Sequence, residues 1–216
     1  MRVAGETVTK PGEQVNSDQH LSVDEAARPY VSRSGVKLAT ALDAFDFSVH
    51  DRTALDLGAS TGGFTHVLLD RGATRVYAID VGHGQLHKLL AGDPRVVSLE
   101  GQDARTLDDS MIGEPITAVV ADLSFISLTL GLPAALELAA PGAWLVALIK
   151  PQFELERREI GKGGIVRDAA AREKAVEKVS SWLAAQPGWQ ISGVVPAPIE
   201  GAKGNQEYLI GAERGR

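Results

Sequence analysis

The sequence predicts an α/β fold, in which a largely parallel β-sheet carries helices on both faces. From Thr53 onward, short apolar runs typical of buried strands alternate with stretches of helical periodicity. The last two apolar runs, 189–199 and 206–213, are joined by a connection too short for a crossover helix. These two observations favour one α/β domain whose final strands form an antiparallel pair at an edge of the sheet.

Seven strands are predicted, at 53–57, 75–80, 95–100, 116–123, 143–150, 189–199 and 206–213. Helices are predicted between them at 63–71, 84–92, 127–139 and 168–186. Asp168 is the expected cap of the last of these helices. One further helix precedes the first strand, where Ser32 or Ser34 can cap it and apolar residues from Val36 to Phe45 line its buried face.

Length and composition are those of an ordinary globular protein. The 216 residues fit one domain with at most a short appendage, and 44% of them are hydrophobic and 23% charged. The chain has no cysteine, which excludes disulfides and thiolate metal sites and suits a cytoplasmic protein. It shows no signal peptide and no apolar run long enough to span a bilayer. With a net charge of −6, any contact with nucleic acid requires basic charge that is concentrated locally or supplied by a further segment.

A glycine-rich turn follows the first predicted strand, with Gly58, Gly62 and Gly63 in the spacing G-x-x-x-G-G. Nucleoside triphosphates, dinucleotides and S-adenosylmethionine all bind at turns of this kind. No Gly-Lys-Ser/Thr follows, and the spacing is not the G-x-G-x-x-G of dinucleotide sites. S-adenosylmethionine has no phosphate, so the turn favours this cofactor. The alternative is that the glycines only permit a tight strand-to-helix turn.

Acidic residues stand where that cofactor would need them, because ligands of such sheets bind beyond the carboxyl ends of the strands. Asp56 and the turn suit the methionyl part, Asp80 suits the ribose hydroxyls, and Asp103 can accept a hydrogen bond from the adenine amino group. The predicted cofactor-binding residues are Asp56, Gly58, Ala59, Ser60, Gly62, Gly63, Phe64, Asp80, Val81, Asp103 and Asp122.

Lys150 ends the fifth predicted strand, where burial of an ammonium group is costly unless another group uses it. Pro151 restricts Lys150 to an extended backbone, which directs its side chain out of the strand end. Asp122 ends the neighbouring fourth strand and can orient the ammonium. Such a lysine can accept a proton or stabilise a developing alkoxide. The alternative, for each residue, is an ordinary salt bridge at the rim of the sheet.

Seven motifs resemble, in order, those of the TlyA-type, hemolysin A-like branch of the FtsJ-related ribose methyltransferases. They run from about Arg28 to the end of the chain and are YVSRSGVKL, DLGASTGGFT, AIDVGHGQL, ADLSFISL, LIKPQFE, GKGGIVRD and KGNQEYL. The resemblance implies a Rossmann-like, seven-stranded S-adenosylmethionine-dependent methyltransferase sheet with a reversed edge hairpin. It also implies a cytoplasmic enzyme that methylates a ribose 2'-hydroxyl of 16S or 23S ribosomal RNA, free or within ribosomal subunits.

The family's catalytic set of Lys, Asp, Lys and Glu, carried over motif by motif, falls on Lys37, Asp122, Lys150 and Glu207. A ribose hydroxyl is a very weak acid, so its methylation needs a base or a strong cationic field at the oxygen. The donor is a sulfonium, whose leaving group needs no proton. We expect Lys150 to lie nearest the 2'-oxygen, with Asp122 orienting it. Lys37 and Glu207 then position the ribose and the path of the proton.

Residues 1–29 depart from the family pattern and are predicted to form a partial S4-like remnant and a linker, ahead of a methyltransferase domain at 30–216. Only the last, strand-rich part of an S4 RNA-binding domain is matched, which bears on RNA affinity more than on the chemistry. Smaller departures are Ser34, where glycine is usual, His83, where an aromatic is usual, and Asp103, where asparagine is usual.

Basic residues predicted to contact RNA phosphates are Lys10, Arg28, Arg33, Arg157, Arg158, Lys162 and Arg167. Four of them lie in the loop 156–168, which is rich in glycine and is expected to close over RNA. For Arg157 and Arg158 the alternative is a solvated loop without RNA contacts.

No metal site is predicted, because His83 and His87 stand four residues apart without a third ligand of the right type. Three other functions compete with the leading hypothesis. The lack of a signal peptide or spanning segment opposes a membrane-active hemolysin. The intact four-residue set opposes a non-catalytic RNA-binding protein, and the glycine spacing opposes a nicotinamide enzyme.

Overall fold

The computed structural model describes residues 2–3, 6–7, 15–16, 19, 21–22, 29–201 and 203–216. Three short strands near the N-terminus form an antiparallel sheet of their own, in which β1 (Arg2–Val3) lies between β2 (Glu6–Thr7) and β3 (Leu21–Ser22). This sheet falls within the segment predicted to be an S4-like remnant. The division into two domains at residue 30 stays a prediction.

The main body is a seven-stranded sheet, which confirms the predicted fold class. Its strands are β4 (Thr53–Leu57), β5 (Arg75–Asp80), β6 (Val96–Glu100), β7 (Ile116–Ala121), β8 (Ala139–Ile149), β9 (Trp189–Pro196) and β10 (Tyr208–Arg214). Their order across the sheet is β6–β5–β4–β7–β8–β10–β9. Strands β4 to β8 are parallel, whereas β10 runs antiparallel to both β8 and β9. The reversed pair therefore lies at the edge, as the short connection predicted.

The helices are α1 (Ser34–Phe45), α2 (Gly63–Asp70), α3 (Lys88–Ala91), α4 (Leu128–Gly131), α5 (Pro133–Leu138), α6 (Pro151–Glu154) and α7 (Ala169–Ala184). Asp168 caps α7 as predicted, because its carboxylate accepts a hydrogen bond from the backbone N–H of Ala171 (3.1 Å). The cap of α1 differs from the prediction. Arg33 occupies the cap position without a side-chain hydrogen bond, and the Ser32 hydroxyl accepts from the N–H of Ser34.

Several predicted boundaries were wrong because local periodicity does not decide them. Pro133 divides the helix predicted at 127–139 into α4 and α5, since it lacks an N–H and begins the second helix. The run at 84–92 forms only the single turn α3. Strand β8 begins four residues earlier than predicted and passes through Gly142, near which its pairing register with β7 shifts.

The sheet is covered on both faces, which explains why its central strands are almost continuously apolar. All five residues of β4 are buried. On one face, α1 and α2 contribute Leu38 and Leu68 to the core. On the other, α4, α5 and α7 surround Leu132 and Leu183. Burial of these side chains holds the strand ends in register, and that register positions the site.

The carboxyl ends of the parallel strands meet at one edge of the sheet. Just after β7, the backbone N–H of Asp122 donates to the carbonyl oxygen of Leu57 at the end of β4 (2.9 Å). Because β10 is reversed, Tyr208 at its start pairs with Ile149 at the end of β8. The same edge therefore receives residues that precede β10 and residues that follow the parallel strands.

We expect Gly211→Ala to lower the free energy of unfolding by about 1–3 kcal/mol through overpacking. Gly211 lies in β10 against the ring of Phe45 in α1, and an added Cβ would stand 2.5–2.8 Å from three ring carbons. Gly113→Ala is the matched control, since the nearest atom, the hydroxyl oxygen of Tyr77, would lie at 3.4 Å. Urea unfolding compares the two variants, and equal stabilities would contradict this close approach of helix and strand.

Candidate active site

The first of two ion pairs at this edge joins Lys37 and Glu207. Lys37 lies in the first turn of α1, and Glu207 directly precedes β10. Nζ of Lys37 lies 2.5 Å from Oε2 of Glu207, and the two side chains are only 6% and 4% exposed. Charged groups buried to this extent require a partner, because either one alone would carry a large desolvation cost.

The second ion pair joins Lys150, directly after β8, to the segment that follows β7. Nζ of Lys150 lies 2.7 Å from Oδ1 of Asp122, as an ion pair without hydrogen-bond geometry. The ammonium donates a hydrogen bond to the Ser124 hydroxyl (2.7 Å) and a longer one to the carbonyl oxygen of Asp122 (3.4 Å). Ser124 was not predicted, although it lies in the ADLSF motif two residues after Asp122. These three contacts fix the position of the Lys150 ammonium.

One cavity of about 300 Å³ brings the four predicted catalytic residues together. Its lining consists of Lys37, Asp122, Lys150 and Glu207 together with Ser32, Arg33, Ser34, Gly58, Ala59, Ser60, Thr61, Phe64 and Gly201. Two ammonium groups and two carboxylates around so small a cavity can orient a polar group and move a proton. We call it the acceptor cavity.

A larger cavity of about 550 Å³, which we call the donor cavity, lies beyond the carboxyl ends of β4, β5 and β7. Six predicted cofactor-binding residues line it, namely Gly58, Ser60, Asp80, Val81, Asp103 and Asp122. Gln85, Gln102 and Leu123 also line it and were not predicted. Gly58, Ser60 and Asp122 border both cavities, so the two cavities meet at this turn.

Gly58 stands at the junction of the cavities, where its conformation suits only glycine. Its φ is +78°, in the left-handed region, and a Cβ would lie 2.8 Å from the carbonyl oxygen of Asp122. Gly62 and Gly63 border neither cavity. Gly62 has a φ of +91°, and a Cβ there would overlap terminal methyl groups of Leu86 and Leu90, so its backbone conformation and its packing both favour glycine.

Two aspartates reach the donor cavity with their carboxylates already engaged. Asp80 accepts hydrogen bonds from the N–H groups of Ser60 (2.8 Å) and Gly82 (2.7 Å), which ties the glycine-rich turn to the end of β5. Asp103 pairs with the guanidinium of Arg105, 2.6 Å away, and these hydrogen bonds lower the pKa of Asp103 to about 2. Both carboxylates retain lone pairs that can accept further hydrogen bonds.

Asp56 is placed away from both cavities. Asp56 is fully buried. Its Oδ2 accepts a hydrogen bond from the Thr65 hydroxyl on α2 (2.6 Å), and its Oδ1 has no hydrogen-bond partner among the described residues. Burial raises the pKa of the Asp56 carboxyl to about 7, against the smaller lowering effect of the Thr65 hydrogen bond. Its predicted contact with a cofactor stays a prediction.

Phe125 is an exposed aromatic residue beside Lys150 that was not predicted. Phe125 is 91% exposed, and its φ is +66°, an uncommon backbone conformation for a residue with a bulky side chain. Its ring centroid lies 5.1 Å from that of Phe153, and the Phe153 ring lies 6.0 Å from Nζ of Lys150. The sequence spacing could have indicated this pair, because Phe125 and Phe153 each stand three positions after a predicted catalytic residue, Asp122 or Lys150.

The predicted RNA-binding residues differ in placement. Arg33 is exposed and lines the acceptor cavity. On the loop 156–168, the predicted residues Arg157, Arg158, Lys162 and Arg167 are all exposed. Arg158 pairs with Glu156 of the same loop at 2.9 Å. Lys10 and Arg28 lie outside the described residues. RNA contact stays a prediction for the whole set.

The loop 156–168 is anchored by Asn205, which is only 2% exposed. Nδ2 of Asn205 donates to the carbonyl oxygen of Gly164, and Oδ1 accepts from the N–H of Val166, each at 2.8 Å. Closure of the loop over RNA stays a prediction, and it would start from a loop already held at these two points.

No group of three or more His, Asp or Glu side chains is placed to hold a metal ion in the part of the chain that the structure describes. His83 and His87 do not share a helix, because His87 is the cap of α3 and accepts a hydrogen bond from the N–H of Leu89 (3.3 Å). Within the same residues, the helices include none with the length and apolar character needed to cross a membrane.

A seven-stranded sheet with this order, a glycine turn after its first strand and cavities at the carboxyl ends define the class of Rossmann-like methyltransferases. The chain belongs to the FtsJ-like methyltransferase family, which matches residues 30–214. This match confirms the resemblance drawn from the seven motifs.

Two relatives and one solved structure show the degree of similarity. The chain is 46% identical to the 16S/23S rRNA (cytidine-2'-O)-methyltransferase TlyA of Mycobacterium tuberculosis, over 97% of this chain and 78% of that protein. It is 43% identical to hemolysin A of Brachyspira hyodysenteriae, over 96% of this chain and 86% of that protein. A solved structure of a hemolysin-like protein from Streptococcus thermophilus is 42% identical, with a TM-score of 0.86, over 98% of this chain and 76% of that one.

The buried carboxyl of Asp56 predicts a pH dependence of stability. Because its pKa rises from 3.8 to about 7 on folding, the folded state keeps a proton that the unfolded chain has already lost above about pH 4. This stabilising effect is complete below the unfolded pKa and is lost as the pH rises through 7. Asp56→Asn, which keeps an acceptor for Thr65, removes the effect.

We expect the free energy of unfolding of wild type, relative to Asp56→Asn, to fall by about 2–3 kcal/mol between about pH 5 and pH 8. Urea unfolding of both proteins across this range measures the difference, because titrating groups that do not interact with Asp56 cancel in the comparison. A difference that does not change with pH would show that the carboxyl titrates as it does in the unfolded chain.

Proposed function

We propose that the chain transfers the methyl group of S-adenosylmethionine to a ribose 2'-hydroxyl of ribosomal RNA. One observation carries this proposal: two lysine–carboxylate ion pairs line a small cavity that meets the donor cavity at Gly58 and Asp122. Similarity supports the same reaction, since the M. tuberculosis relative is named for cytidine 2'-O-methylation of 16S and 23S rRNA.

The donor cavity offers the groups that S-adenosylmethionine needs. Asp80 and Asp103 present carboxylate oxygens to accept from the ribose hydroxyls and the adenine amino group, and Val81, 67% exposed, offers apolar surface to the adenine ring. Asp56 does not border this cavity, so its effect on the cofactor would pass through the turn that it precedes. When bound, the cofactor supplies a methyl group on a sulfonium, whose departure needs no proton.

The acceptor cavity offers what a weakly acidic hydroxyl needs. The ammonium of Lys150 is held in place by Asp122 and Ser124, so a 2'-oxygen beside it meets a positive charge that requires no reorganisation as negative charge develops. Lys37 and Glu207, paired at 2.5 Å in the lining of the same cavity, can orient the ribose and accept or relay its proton. Position and electrostatics together account for the transfer.

Nucleotide recognition is supported by the aromatic pair at the mouth of the site. Exposed Phe125 lies against Phe153, and a further cavity of about 290 Å³ extends from these rings to Lys150 and Glu207. RNA-binding proteins commonly stack unpaired bases on exposed aromatic rings. A nucleotide with its base at Phe125 can therefore place its ribose at the acceptor cavity. Arg33, which lines the acceptor cavity, is suited to a phosphate.

Lys150→Ala tests the proposed function directly. We expect it to reduce the transfer of labelled methyl groups to ribosomal subunits by at least about 100-fold, since it removes the charge beside the reacting oxygen. Calorimetric titration should give a Kd for S-adenosylmethionine within about threefold of wild type, because Lys150 does not line the donor cavity. Mapping of 2'-O-methylated positions in the wild-type reaction identifies the nucleotide.

Lys174→Ala is the control, since Lys174 is exposed on α7 and pairs only with Glu159 among the described residues. It should methylate ribosomal RNA at the wild-type rate. Loss of cofactor binding in Lys150→Ala would overturn the role given to Lys150. Failure of wild type to bind the cofactor or to methylate any ribosomal RNA would overturn the function.

Phe125→Ala should raise the KM for RNA by about 5- to 100-fold, because base stacking on an aromatic ring contributes about 1–3 kcal/mol. Stability should not fall, since the ring is 91% exposed and its φ of +66° is unfavourable. Because Phe125 also lines the donor cavity, the Kd for S-adenosylmethionine is measured beside the KM, and the RNA assays are run with saturating cofactor. Phe125→Tyr keeps a stacking surface and should retain a KM near that of wild type. Equal KM values for the Ala and Tyr variants would argue against a base at this ring.

A further inference from the structure

Glu154 is a buried carboxylate that takes no part in either ion pair of the acceptor cavity. It ends α6, and only 5% of the residue is exposed. Its Oε1 accepts a hydrogen bond from the N–H of Leu128 (2.8 Å), its Oε2 accepts from the Ser127 hydroxyl, and Nζ of Lys178 lies 3.4 Å from Oε2. These three partners offset the desolvation of an ionised carboxylate at a buried position.

Glu154 forms the second of two ties between the same two stretches of chain. The segment 150–154 and the loop 122–128 meet first at the Lys150 ammonium, and they meet again, about one helical turn later, at the Glu154 carboxylate. A loop held at one point can pivot about it, whereas a loop held at two points cannot. The place of the loop beside Lys150 therefore depends on Glu154.

Phe125 lies between the two ties, and its conformation reflects both of them. A φ of +66° is strained for a phenylalanine and persists only where the surroundings impose it. Its ring packs at 5.1 Å on Phe153, which itself lies between Lys150 and Glu154. Without the tie at Glu154, the loop would be free to relax this strain.

Helix α7 connects this arrangement to the body of the protein. Nζ of Lys178 on α7 donates to the carbonyl oxygen of Glu154 (2.6 Å) as well as approaching its carboxylate. Because α7 packs on the sheet through buried residues such as Leu183, the contact fixes Glu154 relative to the strand ends. The loop 122–128 is thus positioned against the sheet and not only against α6.

We propose that Glu154 is a positioning residue for methyl transfer, which fixes the loop 122–128 so that Asp122 and Ser124 hold the Lys150 ammonium at the acceptor cavity. The proposal rests on the proposed function, because the position of Lys150 matters only if Lys150 acts at the reacting oxygen. Misplacement of a reacting group by about 1 Å can lower a rate about 100-fold. Simple capping of α4, the other role these contacts can serve, would change stability and leave the transfer rate of the folded protein unchanged.

Kinetics of Glu154→Gln distinguish the two roles. Glutamine keeps the size of the side chain and an acceptor for the Leu128 N–H, but it loses the charge that faces Lys178. We expect kcat to fall about 10- to 100-fold, with the KM for RNA and the Kd for S-adenosylmethionine within about twofold of wild type. Ser127→Ala removes a donor from the loop side and should show a smaller loss of kcat of the same kind. Glu173→Gln, at an exposed position on α7, is the matched control with wild-type kcat.

Amide hydrogen exchange of the ligand-free protein gives a readout that does not depend on activity. Positioning predicts faster exchange in Glu154→Gln at the amide of Asp122, which donates to Leu57, as well as in α4, whereas capping alone predicts faster exchange only in α4. A wild-type kcat in Glu154→Gln, or exchange changes confined to α4, would overturn the proposal. If wild type binds the cofactor but methylates no RNA while exchange at Asp122 is faster in Glu154→Gln, the proposed function fails and the anchoring of the loop by Glu154 stands.

Discussion

The ion pair between Lys150 and Asp122 is the interaction on which the site depends. It joins the carboxyl ends of two neighbouring parallel strands, β8 and β7, and Asp122 also forms part of the wall shared by the two cavities. The two side chains are 11% and 19% exposed, so removing one partner leaves a charge that water solvates only in part. The pair therefore connects this edge of the sheet to the position of the Lys150 ammonium in the acceptor cavity.

The second ion pair reaches the same place by a different route. Glu207 directly precedes β10, which runs antiparallel to β8. The start of β10 therefore lies beside the end of β8, and Glu207 lies at that edge. Lys37 is supplied by α1. This helix packs so closely on β10 that the Phe45 ring fits only because Gly211 has no side chain. Four separate elements thus supply the four charged groups, and no local fragment of the chain can assemble them. The site is a property of the whole sheet.

Much of this arrangement could be predicted from the sequence, for a physical reason. Strands covered on both faces are apolar throughout, so runs such as TALDL stand out, and parallel strands send their carboxyl ends to one edge. Asp122 and Lys150 could therefore be placed together from the sequence alone. The direction of the Asp56 side chain could not be predicted in this way, because alternate side chains of a strand point to opposite faces, and that of Asp56 faces Thr65 on α2.

Other features escaped prediction because they depend on contacts distant in the chain. The start of β8 is decided by its pairing with β7. The contacts of Phe125 and Glu154 depend on the loop after β7 lying beside α6, which nothing in the local sequence indicates.

The most direct measurement is a crystal structure with S-adenosylhomocysteine and an RNA that carries the target nucleotide. If Lys150 acts at the reacting oxygen, its Nζ will lie within about 3.5 Å of the 2'-oxygen, with the cofactor sulfur on the far side of that oxygen in the donor cavity. A 2'-oxygen held out of reach of Nζ, or a sulfur outside the cavity bordered by Gly58, would contradict that arrangement.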